Sequence, residues 1–471
     1  MLNSRSPEST SKTTVSAPGK VLLAGGYLVL EAPNPGLVIA TDKRFYCTVE
    51  RSSCDKNTAT QSCRISVESP QFHSIWEYDV NPDDESFTLS PSSSNASENG
   101  FVEKTLRVTL AYIWKKKQKL NPSIKITIHA DNDFYSVIPH LKERGLPMTP
   151  DSVESLGRFL PCPQNPDNGA PIIRKTGLGS SAALVTSMVG ALLFSFDAFQ
   201  QDKAHNLAQI SHCYAQGKVG SGFDVSSAVF GSHIYQRFPK CVLSDLLEMI
   251  SRSSTSLSQS TVDILESTVE NNWGGVVEGI DFKLHLLLAD VCCGSESPSM
   301  ARKVLTWKAA RKTNDSAESE LYWEELADTN PRIIKLVQML TQKIDEPKRE
   351  ELLHQLQEAF TSSRRSLKAM GEAAGVPIEP GPQTALADAT QEIPGVIAAV
   401  IPGAGGYDAL ACVYTEEVGS NPDKPGATTK DKIGQLWKTW TKENERQVVC
   451  PLSVKVGKFG DGLRLESNFA P

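Results

Sequence analysis

Several features are missing from this chain, and each absence removes a class of function. No apolar run is long enough to cross a bilayer. The longest candidate, Ala182 to Phe196, stops short of the roughly 20 residues a membrane helix requires. No excess of positive charge exists: 48 Lys and Arg stand against 55 Asp and Glu, a net charge of −7. That balance does not fit a nucleic-acid binder, which concentrates basic surface. The ten cysteines form no CxxC pair and no His/Cys ladder of zinc spacing, and only Cys292 and Cys293 are adjacent. Scattered thiols of this kind suit a reducing, cytoplasmic setting. The opening "MLNSRSPESTSKTTVSAPGK" has no apolar core of a secretory signal, and the ending "NFAP" matches no peroxisomal or lipidation signal. A Walker A loop is absent too, because Gly217-Lys218 and Gly457-Lys458 are followed by Val and Phe rather than Ser or Thr. The expected partner is a small molecule, with no nucleic acid and no membrane, acting on a monomer or homodimer.

With 471 residues, 39% hydrophobic and 22% charged, the chain can bury two or three cores. Its first half reads as α/β. "TTVSAPGKVLLAGGYLVL", "GLVIATD", "RFYCTVE" and "SIKITIHADNDFYS" have the Val, Ile, Thr and aromatic content of strands, while "FVEKTLRVTLAYIWKKK" and "KAHNLAQISHCYAQ" have helical spacing. "AVFGSHIYQRF" reads as a strand, and the Ser/Thr-rich "SRSSTSLSQSTVD" reads as a domain junction. A strand "FKLHLLLADV", several helices between about 296 and 392, and "GVIAAVIPGAGGYDALACVY" follow. Two α/β domains, 1–240 and 241–471, sharing a cleft, are the simplest arrangement.

The stretch "KTGLGSSAALVTSMVGALLFSF" (175–196) sets a polar glycine–serine loop directly against a charge-free apolar run. Glycines let backbone N–H groups converge, and a helix start adds unpaired donors and partial positive charge. Together they seat an anion such as phosphate. A buried helix behind the loop holds that seat rigid. Gly177-Leu178-Gly179-Ser180-Ser181-Ala182 also satisfies the G-x-G-x-x-A dinucleotide pattern. The segment after Asp197 reads as another helix, however, where that fold requires a strand.

Two further segments complete a pattern. "SAPGKVLLAGGYLVLE" (16–31) places Lys20 where a Pro-Gly turn meets a strand, and "IPGAGGYDALACVY" (401–414) is a second glycine-rich turn feeding a strand. In this order the three motifs resemble the GHMP small-molecule kinases, over most of the chain. The resemblance implies an α+β GHMP kinase fold: an N-terminal domain with a left-handed βαβ unit, a ferredoxin-like C-terminal domain, and an active site between them. It implies ATP over Lys175, Gly177, Leu178, Gly179, Ser180 and Ser181, with Mg²⁺ near Ser181 and Gly403, Gly405 and Gly406 closing the cleft.

Within that superfamily, "AQGKVGSGFDVSSAVFGSHIYQRF", "HADNDFYS" and "DVCCGSESPSMARKVLTWK" look like the eukaryotic-type phosphomevalonate kinases. The acceptor implied is 5-phosphomevalonate. Two anionic substrates need several cations around them, and Lys20, Lys175, Lys218, Arg302 and Lys303 fall in or beside the motifs. Lys20 and Asp224 are the expected catalytic pair. Lys218, Ser221, Gly222, Ser295, Ser297 and Gly405, with Lys20, are the expected acceptor contacts. Asp131 and Asp133 read as turn residues and His212 as a packed or hydrogen-bonded one.

Overall fold

The structure, a computed structural model, describes residues 11–52, 63–92, 97–117, 120, 123–165, 167, 169–292, 297–312, 318–416, 427–444, 447–452 and 454–471. Its strands, in chain order, are β1 (Ser11–Ala24), β2 (Pro35–Arg51), β3 (Cys63–Ser69), β4 (Ser74–Pro82), β5 (Ser86–Pro91), β6 (Ser123–Ala130), β7 (His233–Gln236), β8 (Ser256–Ser258), β9 (Val276–Gly279), β10 (His285–Cys292), β11 (Val396–Val400), β12 (Ala409–Tyr414), β13 (Val448–Leu452) and β14 (Arg464–Leu465). They form two sheets. The first runs β14-β1-β2-β6-β3-β4-β5-β8, with β7 joined to β2 and β9 joined to β7. β3 and β6 run parallel. The second runs β11-β12-β10-β13 and is antiparallel throughout. Its chain path is strand, helices, two strands, helix Thr429–Glu443, strand, the βαββαβ order of a ferredoxin-like layer.

The apolar run after the glycine loop is the helix Ser180–Ser195, with 13 of its 16 residues buried, which explains why it carries no charge. It packs on β1 and β2. At Gly190 an added Cβ would come within 3.0 Å of Val15 and closer still to Leu463, so the helix lies tight against both strand and C-terminal segment.

Two local expectations change. Ala228 to Phe230 end a helix, Phe223–Phe230, and the strand starts only at His233. The apolar residues fit either element. Gly222 at φ +87 starts the helix and Gly231 at φ +89 stops it, a backbone region where glycine bears little steric cost. The Ser/Thr-rich stretch is not a free junction. It holds β8, paired with β5, and Ser258 caps the helix Gln259–Glu270 by accepting from the Thr261 N–H. β8, β9 and β14 lie beyond residue 240 yet join the first sheet. That layer therefore extends past the expected division and recruits the chain's last residues.

Candidate active site

The glycine loop is held from β1. The register of β1 on β2 slips between Pro18 and Lys20, and the bulge turns this corner toward the loop. Lys20 then donates its backbone N–H to Leu178 O at 2.9 Å and its Nζ to Gly177 O at 2.9 Å. Gly19 is needed there, since an added Cβ would meet Leu178 O and the Phe134 ring at 3.1 Å. Leu178, 2% exposed, anchors the loop by burying one apolar side chain, worth about 1.5–3 kcal/mol. Gly177 and Gly179 sit at φ +84 and +80. Gly179 begins the helix Ser180–Ser195 without any side-chain cap, so the first N–H groups keep the donors an anion would take.

Three elements converge beside this seat. The helix Gln201–Gln216 carries His212, and the helix Phe223–Phe230 carries Asp224 in its first turn. Ser181 Oγ lies 3.0 Å from His212 Nε2, and Asp224 Oδ2 lies 3.9 Å from the same nitrogen. Burial favours the neutral imidazole of His212. Asp224 opposes that shift, while Lys175 and Lys218 add to it. Burial likewise lowers the pKa of Lys20, with Asp224 acting in the other direction. Lys20 Nζ also stands 5.7 Å from the Phe223 ring centroid.

The loop 217–222 leading to Asp224 is fixed by three side chains to which the sequence reading assigns no role. Gln209 donates to Gly222 O at 2.7 Å, and Tyr235 donates to Ser221 O at 2.8 Å. Arg237 donates to Leu30 O at 2.7 Å, Val219 O at 3.1 Å and Gly220 O. Gly222 has no room for a side chain, because a Cβ would lie 2.6 Å from the Tyr235 hydroxyl.

Two concavities flank the Ser181–His212 contact. One, about 290 Å³, is lined by Lys175, Ser180 and Ser181 together with Phe72, Trp76 and Ile173. The other, about 800 Å³, is lined by His212, Lys218, Ser221, Gly222 and Asp224 from the first layer, and by Arg302, Gly403 and Ala404 from the second half of the chain. Tyr27 ties the halves together by donating to Ala404 O at 2.7 Å, and Lys308 reaches Glu31 at 2.7 Å.

The expected site residues thus divide. Lys20, Lys175, Gly177 to Ser181, Lys218, Ser221, Gly222 and Asp224 come together around the loop and its two concavities. Gly405 packs against Ile378, where an added Cβ would stand 2.2 Å from Ile378 O, while its neighbours Gly403 and Ala404 line the cleft. Ser295 lies outside the described residues, and so does the side chain of Ser297, although helix Ser297–Lys312 begins there. Lys303 is exposed and does not line the cleft that Arg302 enters. Asp131 accepts from Arg44 N–H and Arg158, and Asp133 pairs with Lys43 at 3.5 Å; both stabilise the turn after β6. His212 is buried and hydrogen-bonded, and it stands inside the site.

Residues 167–232, which span the loop and Asp224, match the family described as GHMP kinases N terminal domain. Over 92% of its length the chain is 36% identical to the phosphomevalonate kinase erg8 of Aspergillus fumigatus, covering 91% of that protein. It is 35% identical to the peroxisomal phosphomevalonate kinase of Arabidopsis thaliana, over 86% of this chain and 90% of that one. The fold is shared with the Streptococcus pneumoniae phosphomevalonate kinase solved with phosphomevalonate and AMPPNP, at a TM-score of 0.57 and 15% identity over 95% and 99% of the two chains. Together with the bulged lysine strand and the glycine loop it holds, these likenesses settle the lineage: the chain belongs to the phosphomevalonate kinases of the GHMP superfamily.

Proposed function

We infer that this chain transfers the γ-phosphate of ATP to 5-phosphomevalonate, giving 5-diphosphomevalonate and ADP. The observation that carries this is the meeting of a largely apolar pocket, which Ser180 and Ser181 of the loop line, with a cation-lined cleft at the Ser181–His212 contact. A base fits the first, an anionic acceptor fits the second, and the triphosphate bridges them across the helix start. The aromatic and aliphatic walls given by Phe72, Trp76 and Ile173 suit a purine. The N–H groups of the loop and first helical turn take the phosphates. Lys20 stands at the junction, where it offsets repulsion between the donor and acceptor phosphates. Lys218 and Arg302 face the acceptor, and Asp224 orients it.

Ser181 presents a hydroxyl oxygen at the seat. Among the described residues no group of three or more His, Cys, Asp or Glu side chains is placed to hold a metal. That donor set fits Mg²⁺, which keeps several waters and binds through substrate phosphates plus one or two protein oxygens. When bound, Mg²⁺ would neutralise charge on the phosphate oxygens. A GHMP-fold sensor without turnover is disfavoured because Lys20, Ser181 and Asp224 are all present and gathered. No described helix is long and apolar enough to cross a membrane. The seven described free cysteines support a reducing compartment, and we place the reaction in the cytoplasm.

The two concavities can be tested separately. Ile173→Asp, at an exposed position, should weaken a non-hydrolysable ATP analogue about tenfold, a change of roughly 1.4 kcal/mol, and leave the KM for phosphomevalonate unchanged. Arg302→Ala should do the reverse, raising that KM by roughly 10- to 100-fold as a charge-assisted contact is lost. Calorimetric titration and initial rates read both. Should each variant impair both ligands equally, the division of the site is wrong.

A further inference from the structure

We propose that His212 is a positioning residue for Ser181: its Nε2 accepts the Ser181 hydroxyl proton and leaves the hydroxyl's lone pairs facing the nucleotide phosphates and their cation. This rests on Ser181 being part of the phosphate seat. The two residues are 31 apart in sequence and meet at 3.0 Å, with His212 only 3% exposed. The donor inventory around that nitrogen fixes its direction. The Gln216 carboxamide nitrogen, 3.2 Å away, can only donate, and a serine hydroxyl can donate or accept. An unprotonated Nε2 has one lone pair; the Ser181 hydroxyl, at the shorter 3.0 Å, takes most of it and the Gln216 amide shares it at 3.2 Å, while a protonated Nε2 would oppose the amide.

The consequence concerns what Ser181 can do. A hydroxyl has one proton. Given to His212, that proton is not available to a phosphate oxygen. Phosphate contacts then fall to the backbone N–H groups of the loop, and Ser181 is left as an oxygen donor to a hard cation. Second-layer partners of this kind orient ligands and are worth about 10- to 100-fold in metal affinity or activity. The same geometry leaves one oxygen of Asp224 available, the other accepting from the Val225 N–H at 3.0 Å. Its Oδ2, 3.9 Å from an Nε2 that carries no proton, receives no hydrogen bond there and can turn to the acceptor.

A merely structural histidine, packed against Phe101 at 5.9 Å between ring centroids, would affect melting and little else. Four forms discriminate: wild type, Ser181→Ala, His212→Leu and the double variant, with His212→Gln as the conservative replacement whose carbonyl oxygen can still accept. His212→Leu should lower kcat by about 10- to 100-fold and raise the Mg²⁺ concentration needed for half-maximal rate. Binding of the ATP analogue without Mg²⁺, followed by calorimetry, should hardly change. His212→Gln should recover a large part of the rate. The double variant should be no worse than Ser181→Ala alone, because the histidine acts through the serine. Independently of any variant, nitrogen chemical shifts of wild-type His212 should show Nε2 without a proton. A proton on Nε2, or losses that multiply in the double variant, overturns the proposal while leaving the phosphate seat intact. If Ser181→Ala changes neither rate nor Mg²⁺ requirement, the seat itself fails and the proposal falls with it.

Discussion

Lys20→Met should lower kcat by roughly 10²–10³-fold, the scale on which one preorganised electrostatic contact acts. Phosphoryl transfer leaves the protein little covalent work, so catalysis rests on positioning and on charge placed where the transition state needs it. Lys20 is fixed twice to the loop, through its own N–H on Leu178 and its Nζ on Gly177. Its ammonium is thus held at the seat before substrates arrive. Burial lowers its pKa below the 10.5 of a free lysine. Activity that depends on the ammonium is full below that pKa and lost as pH rises through it. The alkaline limb of kcat should therefore fall earlier than an ordinary lysine would dictate, and should vanish in Lys20→Met. Asp224→Asn should cost less. A phosphate monoester has its second pKa near 6, so near neutrality the attacking oxygen needs little help losing a proton. The acidic limb near pH 6 belongs to the substrate and should persist in Asp224→Asn. Steady-state pH profiles of both variants decide this. If Asp224→Asn is the more damaging change, or if the acidic limb disappears with it, Asp224 is a general base and the division of labour is reversed.

Gly179→Val should abolish measurable binding of ATP. Residue 179 holds φ at +80, which costs a β-branched residue well over a kcal/mol. Its Cβ would stand 3.0 Å from Lys20 Cε, with two methyl groups projecting further into the space the phosphates require. The substitution thus strains the loop, displaces Lys20 and blocks the anion in one step. Ser181→Ala removes only an oxygen and should retain most of the affinity while losing rate. Calorimetry with the ATP analogue and single-turnover rates should separate the two variants cleanly. Equal affinity in Gly179→Val and wild type would remove the loop from the nucleotide site.

The parts of the site that could be read from sequence are those whose physics is local. Glycines that need positive φ, serines at a helix start and a charge-free helix behind them are contiguous, so residues 175–196 announced a rigid anion seat. Lys20 and Asp224 were found through motifs. What escaped depends on distant chain segments. His212 meets Ser181 only because helix 201–216 packs beside helix 180–195, and a histidine on a helix gives no hint of its neighbour. Gln209, Tyr235 and Arg237 hold the loop before Asp224 from 13 to 18 residues away, through carbonyl groups that leave no mark on composition. Phe72 and Trp76 reach the first pocket from the β3–β4 corner, about a hundred residues before the serines they join. The last three residues of the helix Phe223–Phe230, Ala228 to Phe230, read as the start of a strand because Val, Ala and Phe serve either element, and only the positive-φ glycines on each side of the helix decide between them. The serine-rich stretch looked like a linker by composition, although its hydroxyl at Ser258 caps a helix.

The most direct test is a coupled ADP-release assay with phosphomevalonate, mevalonate, galactose and homoserine offered in turn at equal concentration with ATP and Mg²⁺. A cleft built around cations for a phosphorylated acceptor leaves them unpaired when the phosphate is missing, a mismatch worth roughly 10⁴-fold in kcat/KM. Phosphomevalonate should therefore be turned over, with mevalonate slower by about that factor and the sugar and amino-acid alcohols at background. Turnover of mevalonate as fast as phosphomevalonate, or faster, would contradict the assignment of the cleft to a phosphorylated acceptor.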